Sequence, residues 1–206
     1  MSTREHWDEV YRSKSPESVS WYRPRLEQSL AWIDRCGLDP GAHVVDVGGG
    51  ASPLVDDLLT RGFERISVAD IAAEALAHTH ARLGDIGQTV QWVVGDATTP
   101  LFDEDSVDLW HDRAVFHFLT EPARREAYIE ALRRAVRPGG FVIIATFGPN
   151  GPERCSGLPV KRYASSDIAA ALGAGFELVE QADEAHTTPW GAQQAFAYAL
   201  CRRSAE

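Results

Sequence analysis

The chain has 206 residues, 44% of them hydrophobic, enough for one well-buried domain and short for two. A formal net charge of -10 argues against nucleic acid as a partner, because affinity for a phosphate backbone comes from lysine and arginine displacing counterions. No apolar run approaches the ~20 residues that span a bilayer, and Met1-Ser2-Thr3-Arg4-Glu5-His6 lacks the apolar core of a signal peptide, so the expected setting is cytoplasmic, with no membrane partner.

An aromatic leader comes first, with Trp7-Asp8-Glu9-Val10-Tyr11 and Ser20-Trp21-Tyr22. Residues 1–36 are expected to form a helical, aromatic lid segment of a single domain spanning 1–206. Strands follow at His43–Asp46, Ile66–Asp70, Val90–Val94, Val107–His111 and Phe141–Phe147, with helices between them at Pro53–Arg61, Ala72–Leu83 and Glu121–Val136. Leu54, Val55, Leu58 and Leu59 recur at helical spacing, as do Tyr128, Ala131, Leu132, Ala135 and Val136. Gly62 and Gly84 stand where helices end, and Pro138-Gly139-Gly140 reads as a sharp stop before the next strand. In the tail, Ser165-Ser166-Asp167 caps a helix through Leu172, and strands are expected at Phe176–Glu180 and Gln194–Cys201. The connection between them is too brief, and too broken by Pro189, for a crossover helix, so those two strands should pair antiparallel.

This order predicts an α/β fold, a doubly wound, mostly parallel seven-stranded sheet with an antiparallel last strand and helices on both faces. Ligands of such sheets sit outside the carboxyl ends of the strands, so Asp46, Asp70, Asp96 and Asp112 should converge on one rim. The turn Asp46-Val47-Gly48-Gly49-Gly50 narrows the ligand. Glycines let a ligand approach the backbone at a helix N-terminus. A carboxylate just ahead of them would repel a pyrophosphate and welcome a cofactor carrying an amine or a positive charge. A dinucleotide-binding dehydrogenase also fits poorly because Pro53 stands where the third glycine of its fingerprint belongs.

Four further segments extend the pattern: Asp70 ending the second strand, Gly95-Asp96-Ala97 after the third, Val107-Asp108-Leu109-Trp110 as the fourth, and Leu132 through Gly140 before the fifth. In this order the chain, from about Glu5 to Arg203, resembles the class I S-adenosylmethionine-dependent methyltransferases, with a Rossmann-like fold. The leader is similar to that of a subgroup holding small bacterial enzymes and some protein-lysine methyltransferases. The resemblance implies S-adenosyl-L-methionine as cofactor and S-adenosyl-L-homocysteine as product. It implies that Gly48, Gly49 and Gly50 admit the methionine moiety and that Asp46 attracts its ammonium group. Asp70 would take the ribose hydroxyls, Ile71 would pack on adenine, and Asp96 with the Ala97 N–H would meet its edge.

The acceptor side carries other expectations. His117 is the candidate general base, against a histidine that merely caps or packs in the following helix. Asp112 would fix Arg113, and Arg113 would hold a carboxylate on the acceptor, against a purely structural ion pair. His111 would line the cofactor side. Tyr11, Trp21 and Tyr22 would close over the cofactor as a lid, against plain packing of the leader. Tyr163 and His186 lie in tail segments bordering the substrate side, and Cys155 lies on a loop that shapes the acceptor pocket without acting as a nucleophile. Cys36, Cys155 and Cys201 form no C-x-x-C pair, and His78 and His80 point apart on one helix, so neither a disulfide framework nor a metal is expected. The expected reaction is direct in-line methyl transfer to N, O or S of a small molecule. A protein lysine is the alternative acceptor, and a cofactor-binding module without catalysis is a third reading.

Overall fold

A computed structural model of the protein describes residues 3–205, so Met1, Ser2 and Glu206 of the expected 1–206 domain, with the first two residues of the leader, lie outside the described residues. The leader forms α1 (Thr3–Ser13), a short 3-10 turn at Pro16–Ser18 and α2 (Glu27–Arg35). The sheet begins with β1 (His43–Val47), followed by α3 (Leu54–Thr60), β2 (Arg65–Asp70), α4 (Ala73–Leu83), β3 (Gln91–Val94) and β4 (Val107–Arg113). Then come α5 (Pro122–Ala135), β5 (Val136–Phe147), α6 (Ser165–Leu172), β6 (Phe176–Thr187) and β7 (Gln193–Arg203). A small hairpin pairs Arg154–Cys155 with Leu158–Pro159 between β5 and α6.

The seven strands lie in the order β3-β2-β1-β4-β5-β7-β6. The first five are parallel, and β7 inserts antiparallel between β5 and β6. β1 is buried along its whole length, as a strand covered on both faces must be, and its run of valines suits that position. Leu30, Ile33, Leu54 and Leu58 of α2 and α3 pack with Val44 and Leu109 on one face. Tyr128, Leu132 and Ile168 of α5 and α6 pack with Trp110 and Ile144 on the other. Alternation along β4 therefore sends Trp110 and Asp112 toward α5, where Tyr128 meets both, and Leu109 and His111 toward α2. Among the described residues no helix is long and apolar enough to cross a membrane.

Two expectations shift. Pro138-Gly139-Gly140 lies inside β5, which starts directly after α5 at Val136. The chain absorbs the three residues as a bulge, with Gly139 at φ +75° and the register jumping from Val107–Val136 to Leu109–Phe141. The tail strands are longer than expected, twelve and eleven residues, leaving only 188–192 as the turn. The charged residues of β6 face water on the sheet edge, which hides its strand pattern.

Candidate active site

The carboxyl end of β1 turns through Gly48, which has φ +70°, a conformation that favours glycine. The turn is also crowded. A Cβ on Gly48 would lie 2.0 Å from Val115 Cγ2, one on Gly49 2.1 Å from Asp46 Oδ2, and one on Gly50 2.5 Å from Ala75 Cβ. Asp46 is 2% exposed. His111 Nδ1–H donates to its Oδ1 at 2.7 Å, and the Ser29 hydroxyl sits 2.9 Å from His111 Nε2. Its second oxygen, Oδ2, is buried with no hydrogen-bond partner among the described residues.

One β-strand along, the Asp70 carboxylate accepts the Gly50 N–H at 3.1 Å and the Ala72 N–H at 2.8 Å. Burial pushes its pKa up to about 6 despite those amides. Asp96, after β3, accepts the Thr98 N–H and hydroxyl on Oδ1 and Arg124 on Oδ2. Burial alone would raise its pKa, but Thr98 and the Arg124 guanidinium outweigh it and hold the carboxyl below its ordinary value.

Two adjoining cavities open on this rim. The larger encloses an empty volume of about 830 Å³ and is bordered by Asp70, Ile71, Asp96 and Ala97 on one side and by Trp7, Val115, Phe118 and Cys155 on others. The second, of about 440 Å³, is bordered by Asp46, Gly49, Ser52 and His111 and by Tyr22 and Arg23 of the leader. Tyr11, Trp21, Gly48 and Arg113 border both. The leader forms the roof. Trp7 packs edge-on against Trp21 and Phe118, with ring centroids 5.7 and 5.1 Å apart. α1 is anchored to α4 by His78 Nε2–H donating to the Tyr11 carbonyl at 2.9 Å. Trp21 is held from below, as Arg113 Nη1 donates to its carbonyl at 2.9 Å and His186 Nε2–H donates to the Ser20 carbonyl at 2.6 Å.

The rim thus gathers the residues expected around a cofactor, and only Gly50 borders neither cavity, its N–H being turned to Asp70. The expected acceptor-side chemistry needs correction. Asp112 does not fix Arg113. It is fully buried on the opposite face of β4, where it accepts the Tyr128 hydroxyl at 2.5 Å and the Val115 and Phe116 amides. Burial raises its pKa to about 6. Arg113 instead pairs its Nε with the Tyr198 hydroxyl at 3.0 Å and lies 4.3 Å over the Phe196 ring.

His117 does not serve as a base in this geometry. It is fully buried and borders neither cavity. Its Nδ1 accepts the Phe147 N–H at 3.2 Å, which fixes the proton on Nε2. Burial, then Arg113, lowers its pKa to about 3. Tyr163 also borders neither cavity and packs on Phe116, while Cys155 borders the larger one with its thiol pushed up to about 11 by burial.

Several contributors escaped the sequence reading. Trp7 and Phe118 stood inside segments already singled out, and their aromatic character was the available signal. Ser29, Glu184 and Tyr198 carried none, since a polar residue on a helix or an edge strand looks like solvated surface and a tyrosine in an inner strand looks like core packing.

The family model describing a methyltransferase domain matches residues 44–140, from β1 to the bulge of β5. This match over a little under half of the chain, together with the fold, supports the class I S-adenosylmethionine-dependent methyltransferase family. It is similar to EEF1A lysine methyltransferase 2 of Danio rerio, 24% identical over 195 residues covering 88% of this chain and 78% of that protein. It is also similar to the ubiquinone/menaquinone biosynthesis C-methyltransferase UbiE of Coxiella burnetii, 32% identical over 125 residues covering 56% of this chain and 46% of that one. In fold it matches an S-adenosylmethionine-dependent methyltransferase from Anabaena variabilis with a TM-score of 0.76, at 14% identity over 98% of this chain and 96% of that one. The methyltransferase relatives thus carry names that point to different acceptors. The cofactor of the family is S-adenosyl-L-methionine, and the unpartnered Asp46 Oδ2 beside a turn with no room for a Cβ is a fitting cradle for its charged amine.

Proposed function

We propose that this methyltransferase acts on a small-molecule acceptor inside the roofed cavity. The observation that carries the reading is the roof itself: Trp7, Tyr11 and Trp21 partly cover the space beside the glycine turn, which narrows the approach for a protein side chain. S-adenosylmethionine, when bound, supplies a methyl group on a sulfonium with a good leaving group. The chain's residues have the remaining work of binding, aligning and excluding water.

Within this reading the second cavity takes the methionine moiety, with Asp46 Oδ2 accepting from its ammonium group and the glycine turn admitting its backbone. The larger cavity takes the nucleoside: Asp70 accepts the ribose hydroxyls, Ile71 packs on adenine, and Asp96 and the Ala97 N–H face the adenine edge. His111 positions Asp46 through the bond to Oδ1. Tyr11 and Trp21, at the junction of the two cavities, present aromatic faces to a cationic centre. Residues 3–23 act as the lid, and the chain is expected to work in the cytoplasm as a single domain.

A protein lysine is the second reading, favoured by the similarity to a protein named a lysine methyltransferase over 88% of this chain. Incubating the protein with methyl-labelled S-adenosylmethionine and a cell extract, then separating by size, tests the choice. Label in the small-molecule fraction supports the proposal. Label confined to a protein band overturns it in favour of lysine.

A further inference from the structure

The junction of the two cavities says what kind of acceptor the site takes. If the second cavity holds the methionine moiety and the larger one the nucleoside, the sulfur between them faces the residues common to both, Tyr11, Trp21, Gly48 and Arg113. The acceptor atom must arrive there. Arg113 is the single cation among these four, and its side chain is only 5% exposed. Nε and Nη1 are engaged with the Tyr198 hydroxyl and the Trp21 carbonyl. Nη2 has no hydrogen-bond partner among the described residues, and its ion pair with Glu184 Oε2 is long, at 3.9 Å. Glu184 is itself shared with Arg23 and the Tyr198 hydroxyl. A buried guanidinium nitrogen left without an acceptor is rare and points to an anionic ligand.

Among the described residues these surroundings hold no histidine free to act as a base, and the carboxylates of Asp46 and Asp70 are assigned to the cofactor. His111 is bonded on both ring nitrogens, to Asp46 and Ser29. His117 lies outside both cavities with its Nδ1 occupied. The Tyr11 phenol is buried beside Asp70, and both effects push its pKa up, so it stays protonated. An acceptor in this chamber must therefore reach its nucleophilic form without a basic side chain. Two anions could pair with Arg113, a carboxylate or a thiolate, and two features separate them. A carboxylate is matched to two parallel donors of the guanidinium fork, whereas one nitrogen is left over here, which suits a single-atom anion. The walls are apolar, with Trp7, Val115, Phe118 and Leu119 around the space, and a weakly hydrated sulfur anion loses less than a carboxylate on entering them.

We infer that the acceptor is a small thiol, bound as its thiolate beside Arg113. This rests on the small-molecule reading above. The thiol gives its proton to solvent on binding. The thiolate's electron pair forms the new sulfur–carbon bond to the methyl group as the carbon–sulfonium bond breaks, its pair remaining on the thioether of S-adenosylhomocysteine. The products are a methyl thioether and S-adenosylhomocysteine, with no oxidant or reductant required. Arg113 lowers the thiol's pKa from its ordinary value, which for a cysteine side chain is about 8.5, and so does the work a base would otherwise do.

The test uses the intact protein with 1-propanethiol, 1-propanol, 1-propylamine and propionate as acceptors, following S-adenosylhomocysteine release. S-adenosylmethionine binding is measured separately by calorimetry. Turnover of the thiol at least about tenfold above the other three supports the inference. Preference for the amine or propionate, or no turnover of any of the four while S-adenosylmethionine binds, overturns it and leaves the methyltransferase reading intact. Failure to bind S-adenosylmethionine overturns both. Two further readouts isolate Arg113. Ultraviolet absorbance should show 1-propanethiol bound as thiolate at neutral pH in the presence of S-adenosylhomocysteine. In Arg113→Lys, with its fold checked by thermal unfolding, the apparent pKa of the bound thiol in the pH profile of kcat should change by less than in Arg113→Gln. There it should rise by at least about one unit, about tenfold in rate at neutral pH. Bound thiol that stays protonated, or an unchanged pKa in Arg113→Gln, contradicts the role.

Discussion

Replacing Gly49 with alanine probes the cradle at its tightest point. The added Cβ would stand 2.1 Å from Asp46 Oδ2, 2.4 Å from its Cγ and 3.0 Å from its Cβ. No rotation of a flexible end relieves all three contacts, because the carboxylate is held on its other side by His111 at 2.7 Å and the strand is buried along its length. Either the turn shifts, at an overpacking cost of about 1–3 kcal/mol, or the carboxylate swings off His111 and loses a charge-assisted bond worth about 1.5–3 kcal/mol. Both outcomes misplace the oxygen assigned to the ammonium group. Affinity for S-adenosylhomocysteine, measured by calorimetry, should therefore fall at least tenfold, about 1.4 kcal/mol or more. Gly41→Ala is the matched control, since a Cβ there meets nothing within 4 Å, and its stability should stay within about 0.5 kcal/mol of wild type. A Gly49→Ala protein that binds within about twofold of wild type would refute the assignment of this turn.

Four more outcomes follow from the same geometry. Asp70→Ala should weaken S-adenosylhomocysteine binding by at least about tenfold, roughly 1.4 kcal/mol, through loss of the ribose acceptor, and near-wild-type affinity in a titration would contradict that role. Because burial lifts Asp70 to about 6, about a tenth of it is ionised near pH 5, so binding should weaken by about tenfold between about pH 7.5 and about pH 5 in wild type and stay flat in Asp70→Asn. The raised values of Asp70 and Asp112 also mean that the folded chain holds extra protons between about pH 4 and about pH 6. Their contribution to stability therefore declines as pH rises through that window, and melting curves recorded across it should show the loss. His117→Gln should lower the melting temperature, because the site is fully buried, yet leave the pH profile of kcat/KM unchanged. Activity abolished with cofactor binding retained would restore the base.

What the sequence made legible divides along physical lines. β1, its glycine turn and the strand-end acids could be read because the fold uses them through backbone geometry, and backbone demands show as glycine and as runs of valine. Asp112 and His117 were misread because position at a strand's carboxyl end does not say which way a side chain points. Alternation along β4 did carry that information: His111 and Asp112 are neighbours and so face opposite sides of the sheet, which separates Asp112 from Asp46 and commits it to Tyr128. The bulge at Pro138-Gly139-Gly140 was hidden because proline and glycine punctuate turns and bulged strands alike. The seam joining Ser20, Trp21 and Arg23 to Arg113, His186 and Glu184 depends on pairs more than 90 residues apart, and no local pattern announces it.

A crystal structure with S-adenosylhomocysteine bound addresses the central claim most directly. The account predicts the amino group against Asp46 Oδ2, the ribose hydroxyls on Asp70, adenine between Ile71 and Asp96, and the sulfur facing Arg113, Tyr11 and Trp21 beneath a closed leader. A ligand with its amino group away from Asp46, or with its sulfur outside the junction of the two cavities, would contradict it.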